Sequence, residues 1–213
     1  MTFELPNEVL MDNVITFYHN PMSRARIVHW MLEEVGAPYE TVVLDLQKGE
    51  HKQEKFLAVN PMGKLPTIKH NGVVVTEAAA ICAYLADAFP KANLAPKVDD
   101  PARGTYYRWL FFTASAVEQA LTDKAMNRLD PAMKSRIGYG TYEDTVAALE
   151  KAVTPGPFIL GDRFSAADVY VCSAIGWALF QKTIEPRPAF LQYMRNCEQR
   201  EGYKRFIGKY PKM

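Results

Sequence analysis

The chain has 213 residues, of which 48% are hydrophobic and 12% aromatic, and its formal net charge is +1. That length buries a sizeable core in one large domain or two small ones, and the composition excludes a disordered chain. The near-zero charge gives no electrostatic footing for nucleic acid or an anionic membrane, and no apolar run reaches the roughly 18 residues that a membrane span requires. Residues 1–12 are acidic, with no basic segment leading into an apolar core, so they form a short extension and not a secretory signal. Residues 14–18, Val-Ile-Thr-Phe-Tyr, are a strand by composition. After a turn at His19-Asn20-Pro21, Ser23 stands at an N-cap position. Val28, Met31, Leu32 and Val35 then repeat at helical spacing until Gly36. Residues 39–44 are a second strand, and residues 49–57 are polar and irregular or briefly helical.

The stretch at residues 60–85 holds the densest set of signals. Asn60-Pro61-Met62-Gly63 is a turn. Residues 64–68 start a strand whose Pro66 withholds a ladder donor, which predicts a sheet edge, a cis bond and free backbone groups at Leu65. Asn71-Gly72 tolerates the positive φ of a tight hairpin. Residues 73–75 return, and Thr76 caps a helix with Ile81, Tyr84, Leu85 and Ala88 on one face. Glu77 and Ala78 thus lie at a helix start, where free N–H groups attract an anion. A strand margin beside an anion pocket suits a small acidic peptide; a plain sheet edge with a capped helix has the same pattern.

The element order is strand–helix–strand–helix–strand–strand–helix. A strand, a crossover and a strand form a parallel pair, and the hairpin adds an antiparallel one, giving a mixed four-stranded sheet. Prolines and aspartates between Pro90 and Pro101 form a linker. Beyond it only helices follow. Tyr106, Trp109, Leu110, Thr113, Val117 and Leu121 define a long one, and Tyr142, Val146, Leu149 and Val153 the next. Residues 167–180 are apolar almost all round, as in the centre of a bundle, and Ser165 with Asp168 has capping-box spacing at its start. Phe190, Met194 and Cys197 mark a last helix before a basic tail. The three cysteines, Cys82, Cys172 and Cys197, are dispersed in apolar helical patterns, as reduced buried thiols of a cytoplasmic protein are. No Cys-x-x-Cys exists, and His19, His29, His51 and His70 lack ligand spacing, so a metal site is not expected.

Asn60-Pro61-Met62-Gly63-Lys64-Leu65-Pro66, followed by a hairpin and Glu77-Ala78-Ala79-Ala80-Ile81, resembles the glutathione-binding half of the cytosolic glutathione transferases. The Ser165–Asp168 box resembles the one before that family's central helix, so the likeness spans nearly the whole chain. It implies a thioredoxin-like α/β domain at residues 12–92, a linker at 93–100 and an all-α domain at 101–213. It also implies glutathione as cosubstrate, no metal, and a homodimer. By motif, Leu65 pairs its backbone with the cysteinyl part of the tripeptide, shaped by Pro66. Glu77 and Ala78 hold the γ-glutamyl end, and Lys52 and Lys64 face the glycyl carboxylate. Ser23 favours the thiolate, with Asn20 as the next donor on that loop. Tyr107 and Phe111 line the pocket for a small hydrophobic electrophile. Ala78 departs from the family's Ser or Thr, which removes a hydroxyl contact worth roughly 1.5–3 kcal/mol. The implied activity is activation of the glutathione thiol for attack on a small hydrophobic electrophile. A binding module without turnover and a glutathione-dependent isomerase or peroxidase are the alternatives.

Overall fold

The computed structural model describes residues 14–130, 132 and 134–210; the extension read at residues 1–12 lies outside them. Strand β1 (Ile15–His19) leads through a turn into helix α1 (Ala25–Val35) and back to β2 (Tyr39–Val43). A 3-10 turn at Glu50–Lys52 and the short α2 (Glu54–Leu57) follow, then the hairpin β3 (Thr67–His70) and β4 (Val73–Thr76), then α3 (Ala78–Ala88). β1 and β2 run parallel, from Ile15 opposite Tyr39 to His19 opposite Val43. β3 lies antiparallel to both β1 and β4, so the sheet order is β2-β1-β3-β4. Asn71 and Gly72 close the hairpin at φ of 49° and 77°, the geometry that the Asn-Gly pair predicts.

Five local expectations are corrected. β3 is interior, not an edge, because β1 and β4 flank it. Its ladder begins at Thr67, so Pro66 sits before the first pair and costs the sheet no hydrogen bond. Thr76 is the last residue of β4, and Glu77 takes the cap position of α3. Arg24, not Ser23, immediately precedes α1, although the Ser23 hydroxyl still accepts from Ala25 N at 3.2 Å. Finally, the segment read as a basic tail contains a further helix.

The second half is helical among the described residues. α4 (Ala102–Phe112) passes through a π-helical stretch at Thr113–Val117 into α5 (Glu118–Ala125). α6 (Tyr142–Val153), α7 (Ala166–Phe180), α8 (Pro188–Glu198) and α9 (Glu201–Gly208) complete it. α7 packs against α1, α3, α4 and α8. Its start is fixed by Asp168, whose Oδ1 accepts from Ile159 N (2.7 Å) and the Tyr193 hydroxyl (2.9 Å). Oδ2 accepts from Ser165 N (2.8 Å) and Oγ (2.9 Å), completing the expected capping box. One contiguous apolar cluster runs from Phe17, Trp30 and Leu85 through Tyr106 and Leu110 to Ile175 and Phe190. The two halves therefore share a core.

Helix α9 explains why the basic end is ordered. Phe206 is buried, while Arg205 donates to Glu33 O (2.5 Å) and Lys209 to Glu33 Oε1 (2.6 Å) on α1. Arg200 reaches Glu34 Oε2 at 2.9 Å. A Cβ at Gly202 would overlap the Glu34 carboxylate, which would have to shift to make room. The basic residues partner acidic ones on α1, a pairing invisible within either segment alone.

Candidate functional site

Four parts of the chain converge on one cavity of about 140 Å³ between the halves. The start of α1 gives Arg24, and the segment before β3 gives Lys64, Leu65 and Pro66. The start of α3 gives Glu77, Ala78 and Ala79, and the helical half gives Ala114, Glu118 and Tyr170.

Leu65 precedes a cis peptide to Pro66. The turn that presents it is held by Asn60, whose Nδ2 donates to Lys64 O (2.9 Å) and to Thr67 Oγ1 (3.0 Å). Gly63, at φ of 58°, passes so close to the His51 carbonyl that a Cβ would stand 2.5 Å from it. The backbone N–H and C=O of Leu65 have no hydrogen-bond partner among the described residues. Glu77 adopts φ of 65° and ψ of 120°, a strained conformation for a side-chain-bearing residue. That turn aims the first N–H groups of α3 at the cavity; Ile81 N is the first to find an intrahelical acceptor, Glu77 O at 2.9 Å.

Arg24 crosses the cavity to Glu118. Its Nε donates to Oε2 at 3.1 Å, and Nη2 pairs with Oε1. Both side chains remain about two-fifths exposed, so the pair is worth at most about 1 kcal/mol. It nevertheless sets a guanidinium and a carboxylate on the wall facing Leu65.

Of the residues read from the sequence, Lys64, Leu65, Pro66, Glu77 and Ala78 come together here. Lys52 stands outside the cavity lining, donating from Nζ to Met62 O at 2.8 Å. Ser23 and Asn20 occupy the neighbouring loop but do not line the cavity. Ser23 Oγ donates to Asn20 O at 2.8 Å; Asn20 Nδ2 donates to Leu44 O and its Oδ1 accepts from Met22 N, each at 2.8 Å. Their polar groups are thus engaged with backbone. Tyr107 and Phe111 are also placed elsewhere. Arg103 donates to the Tyr107 hydroxyl at 2.7 Å, and Phe111 is 65% exposed on the helix upstream of the π-helical stretch. That helix meets the cavity one and two turns later, through Ala114 and Glu118.

Glu118 and Tyr170 were missed by sequence reasoning. A charged residue on a helix reads as part of its solvated face, so Glu118 carries no signal of its own. Tyr170 is a lone phenol in the aliphatic run of α7, where an aromatic reads as core. Its bulk is indeed buried, and burial together with Glu118 pushes its hydroxyl's pKa above the usual tyrosine value. Among the described residues, no group of three or more His, Cys, Asp or Glu side chains is arranged to hold a metal ion. No helix there is long and apolar enough to cross a membrane.

Residues 13–87 match the family described as glutathione S-transferase, N-terminal domain, and residues 116–207 match glutathione S-transferase, C-terminal domain. The chain is 28% identical over 204 residues to glutathione S-transferase hmp2 of Hypomyces subiculosus, covering 89% of this chain and 96% of that protein. It is 27% identical over 187 residues to glutathione S-transferase GstA of Escherichia coli O157:H7, covering 83% and 90%. The crystal structure of a glutathione transferase from Methylococcus capsulatus superposes with a TM-score of 0.75 at 27% identity, over 91% of this chain and 97% of that one.

Proposed function

The chain belongs to the glutathione S-transferase family, and from that premise we propose that the cavity binds glutathione and delivers its thiolate to a small electrophile. One observation carries this reading. The unpaired backbone of Leu65 lies beside the unpaired N–H groups at Ala78, so an extended peptide backbone and a carboxylate are satisfied together. In this arrangement Leu65 pairs with the cysteinyl unit, and Pro66 shapes the turn. Glu77 takes the γ-glutamyl ammonium and the Ala78 N–H its carboxylate. Lys64 faces the glycyl carboxylate; Lys52 joins it by releasing Met62 O.

A free thiol titrates near pH 8.5, so the site must favour the thiolate. Donors at the start of α1 do this by hydrogen bonding and by positive partial charge. Ser23 supplies the donor once its hydroxyl turns from Asn20 O toward the sulfur, and the Asn20 amide is the second candidate. The electrophile enters between Leu65 and the Ala114–Glu118 face, where Ala114, Pro66 and Leu65 offer apolar contact. We place the activity in a homodimer in the cytoplasm, where the three buried cysteines stay reduced.

A second reading, a glutathione-binding module without turnover, is favoured by the backbone commitments of Ser23 and Asn20 and by the missing hydroxyl at Ala78. Titration of the bound thiol by its thiolate absorbance separates the two. A thiol pKa well below 8.5 that rises by about one unit in Ser23→Ala, with slower conjugation at neutral pH, supports the transferase. Binding with an unshifted thiol supports the module, and no binding at millimolar glutathione refutes both.

A further inference from the structure

Asn20 and Ser23 sit on the loop between β1 and α1, and among the described residues their polar groups bond only to backbone. The residues flanking that loop on both sides meet one side chain from the far end of the chain. Tyr210, two residues beyond α9, has its hydroxyl 3.4 Å from Nε2 of His19, the last residue of β1. The Arg26 guanidinium, in the first turn of α1, lies 4.0 Å from the centre of the Tyr210 ring. The same hydroxyl bonds His29 Nδ1 at 2.7 Å. The direction of each bond follows from the Glu33 carboxylate, which only accepts. Tyr39 donates to it at 2.6 Å and accepts from His29 Nε2 at 2.8 Å. His29 Nδ1 is left to accept from Tyr210, whose oxygen in turn accepts from His19 Nε2. Burial pushes the Tyr210 pKa up to about 12, so it stays the neutral phenol that does both. The chain of bonds ends at His19 Nδ1, which is buried and has no hydrogen-bond partner among the described residues. The link to His19 is also the longest in the chain, so His19 depends most on where Tyr210 stands.

We propose that Tyr210 is a positioning residue for the thiol-activating loop: it holds His19 by its hydroxyl and Arg26 by its ring, and so fixes both ends of residues 20–24 and the place from which Ser23 reaches the sulfur. This rests on Ser23 as the thiol donor of the reading above. Tyr210 does not line the cavity, so it acts through the loop. Its effect falls on the thiol and not on the grip of the tripeptide, because Leu65 and Ala78 lie on other segments. Placement of this kind matters, since a shift of about 1 Å at a reacting centre costs as much as about 10²-fold in rate.

The test is a double-mutant cycle of Tyr210→Phe and Ser23→Ala, read as the pKa of the bound glutathione thiol from its thiolate absorbance. Tyr210→Phe keeps the ring over Arg26 and removes both hydroxyl bonds. It is expected to raise the thiol pKa by roughly half a unit, a threefold loss of thiolate at neutral pH. kcat should fall with it, while glutathione affinity in calorimetry stays the same. In the Ser23→Ala background the same substitution should add nothing. Arg200→Met is the structural control: it loosens α9 from Glu34 without touching the loop, so it should lower the melting temperature and leave the thiol unmoved. Should Tyr210→Phe not fold, His19→Leu, which cuts the same link from the strand side, is read in its place. An unmoved thiol in Tyr210→Phe, an equal rise with and without Ser23, or an equal rise in Arg200→Met overturns the proposal. An unmoved thiol in Ser23→Ala itself removes the Ser23 reading and this proposal with it. A rise in Ser23→Ala beside none in Tyr210→Phe removes Tyr210 alone.

Discussion

Lowering the pH from 7 to 5 is expected to destabilise this protein through two buried histidines. His19 at the end of β1 and His29 on α1 are 4% and 7% exposed, with ring centroids 5.4 Å apart. Burial, and for His19 also the neighbouring His29 and Arg26, lowers each to about 4. At His29 the Lys209 and Arg26 charges push the same way, and Glu33 opposes them. The hydrogen bonds agree with a neutral ring. Tyr39 donates to Glu33 Oε1 at 2.6 Å, so its oxygen is free to accept from His29 Nε2 at 2.8 Å. His29 Nδ1 is then the acceptor for the Tyr210 hydroxyl at 2.7 Å. A second ring proton would reverse that bond, turning Tyr210 from donor to acceptor.

Both folded pKa values lie below the unfolded 6.5, so the unfolded chain takes up protons first as pH falls. Stability is complete above about pH 6.5 and is lost progressively toward 4. Between pH 7 and 5 each imidazole accounts for about 2 kcal/mol of loss, hence about 3–4 for the pair. Asp168, which burial pushes up to about 6, acts in the opposite sense and returns about 1 kcal/mol. Glu198, also raised, adds to that return, and His70, also lowered, adds to the loss. The net is about 2–3 kcal/mol, or a melting temperature lower by roughly 5–10 °C. Thermal unfolding at the two pH values measures it, and His29→Gln, which keeps polarity without titrating, should remove about half of the histidine contribution. Equal melting temperatures, or imidazole resonances titrating near 6.5, would refute the reasoning.

Asp168→Ala strands Ile159 N, Ser165 N, Ser165 Oγ and the Tyr193 hydroxyl in the core; a loss of about 4 kcal/mol or more is expected in urea unfolding. Gly63→Ala places a Cβ 2.5 Å from the His51 carbonyl at φ of 58°. It should cost about 2 kcal/mol or more and weaken glutathione binding in calorimetry by shifting the turn before Leu65. Glu118→Gln, by contrast, breaks only a half-exposed pair, so a urea midpoint shift above about 1 kcal/mol would contradict its surface character.

Local chemistry made much of the fold legible. Asn71-Gly72 specifies its hairpin because few other pairs tolerate two positive φ angles, and Gly36 ends α1 for the same reason. Ser165 and Asp168 declare the start of α7 by spacing alone. The Leu65–Pro66 and Glu77–Ala78 contributions to the site were legible because each is a short continuous motif whose geometry is set by its own residues. What failed needed a partner distant in sequence. β3 is interior only because β1 folds back beside it, and α9 forms because Glu33 and Glu34 wait on α1. The helical wall of the cavity is made by Ala114 and Glu118 and not by Tyr107 and Phe111, because packing of α4 on α7 sets which turn reaches the cavity. Tyr170 is core by every sequence rule; only the approach of Arg24, Glu77 and Glu118 from other elements makes it part of the cavity wall. Sequence determines conformations that neighbouring residues enforce, whereas tertiary structure decides which side chains share a solvent-shielded space.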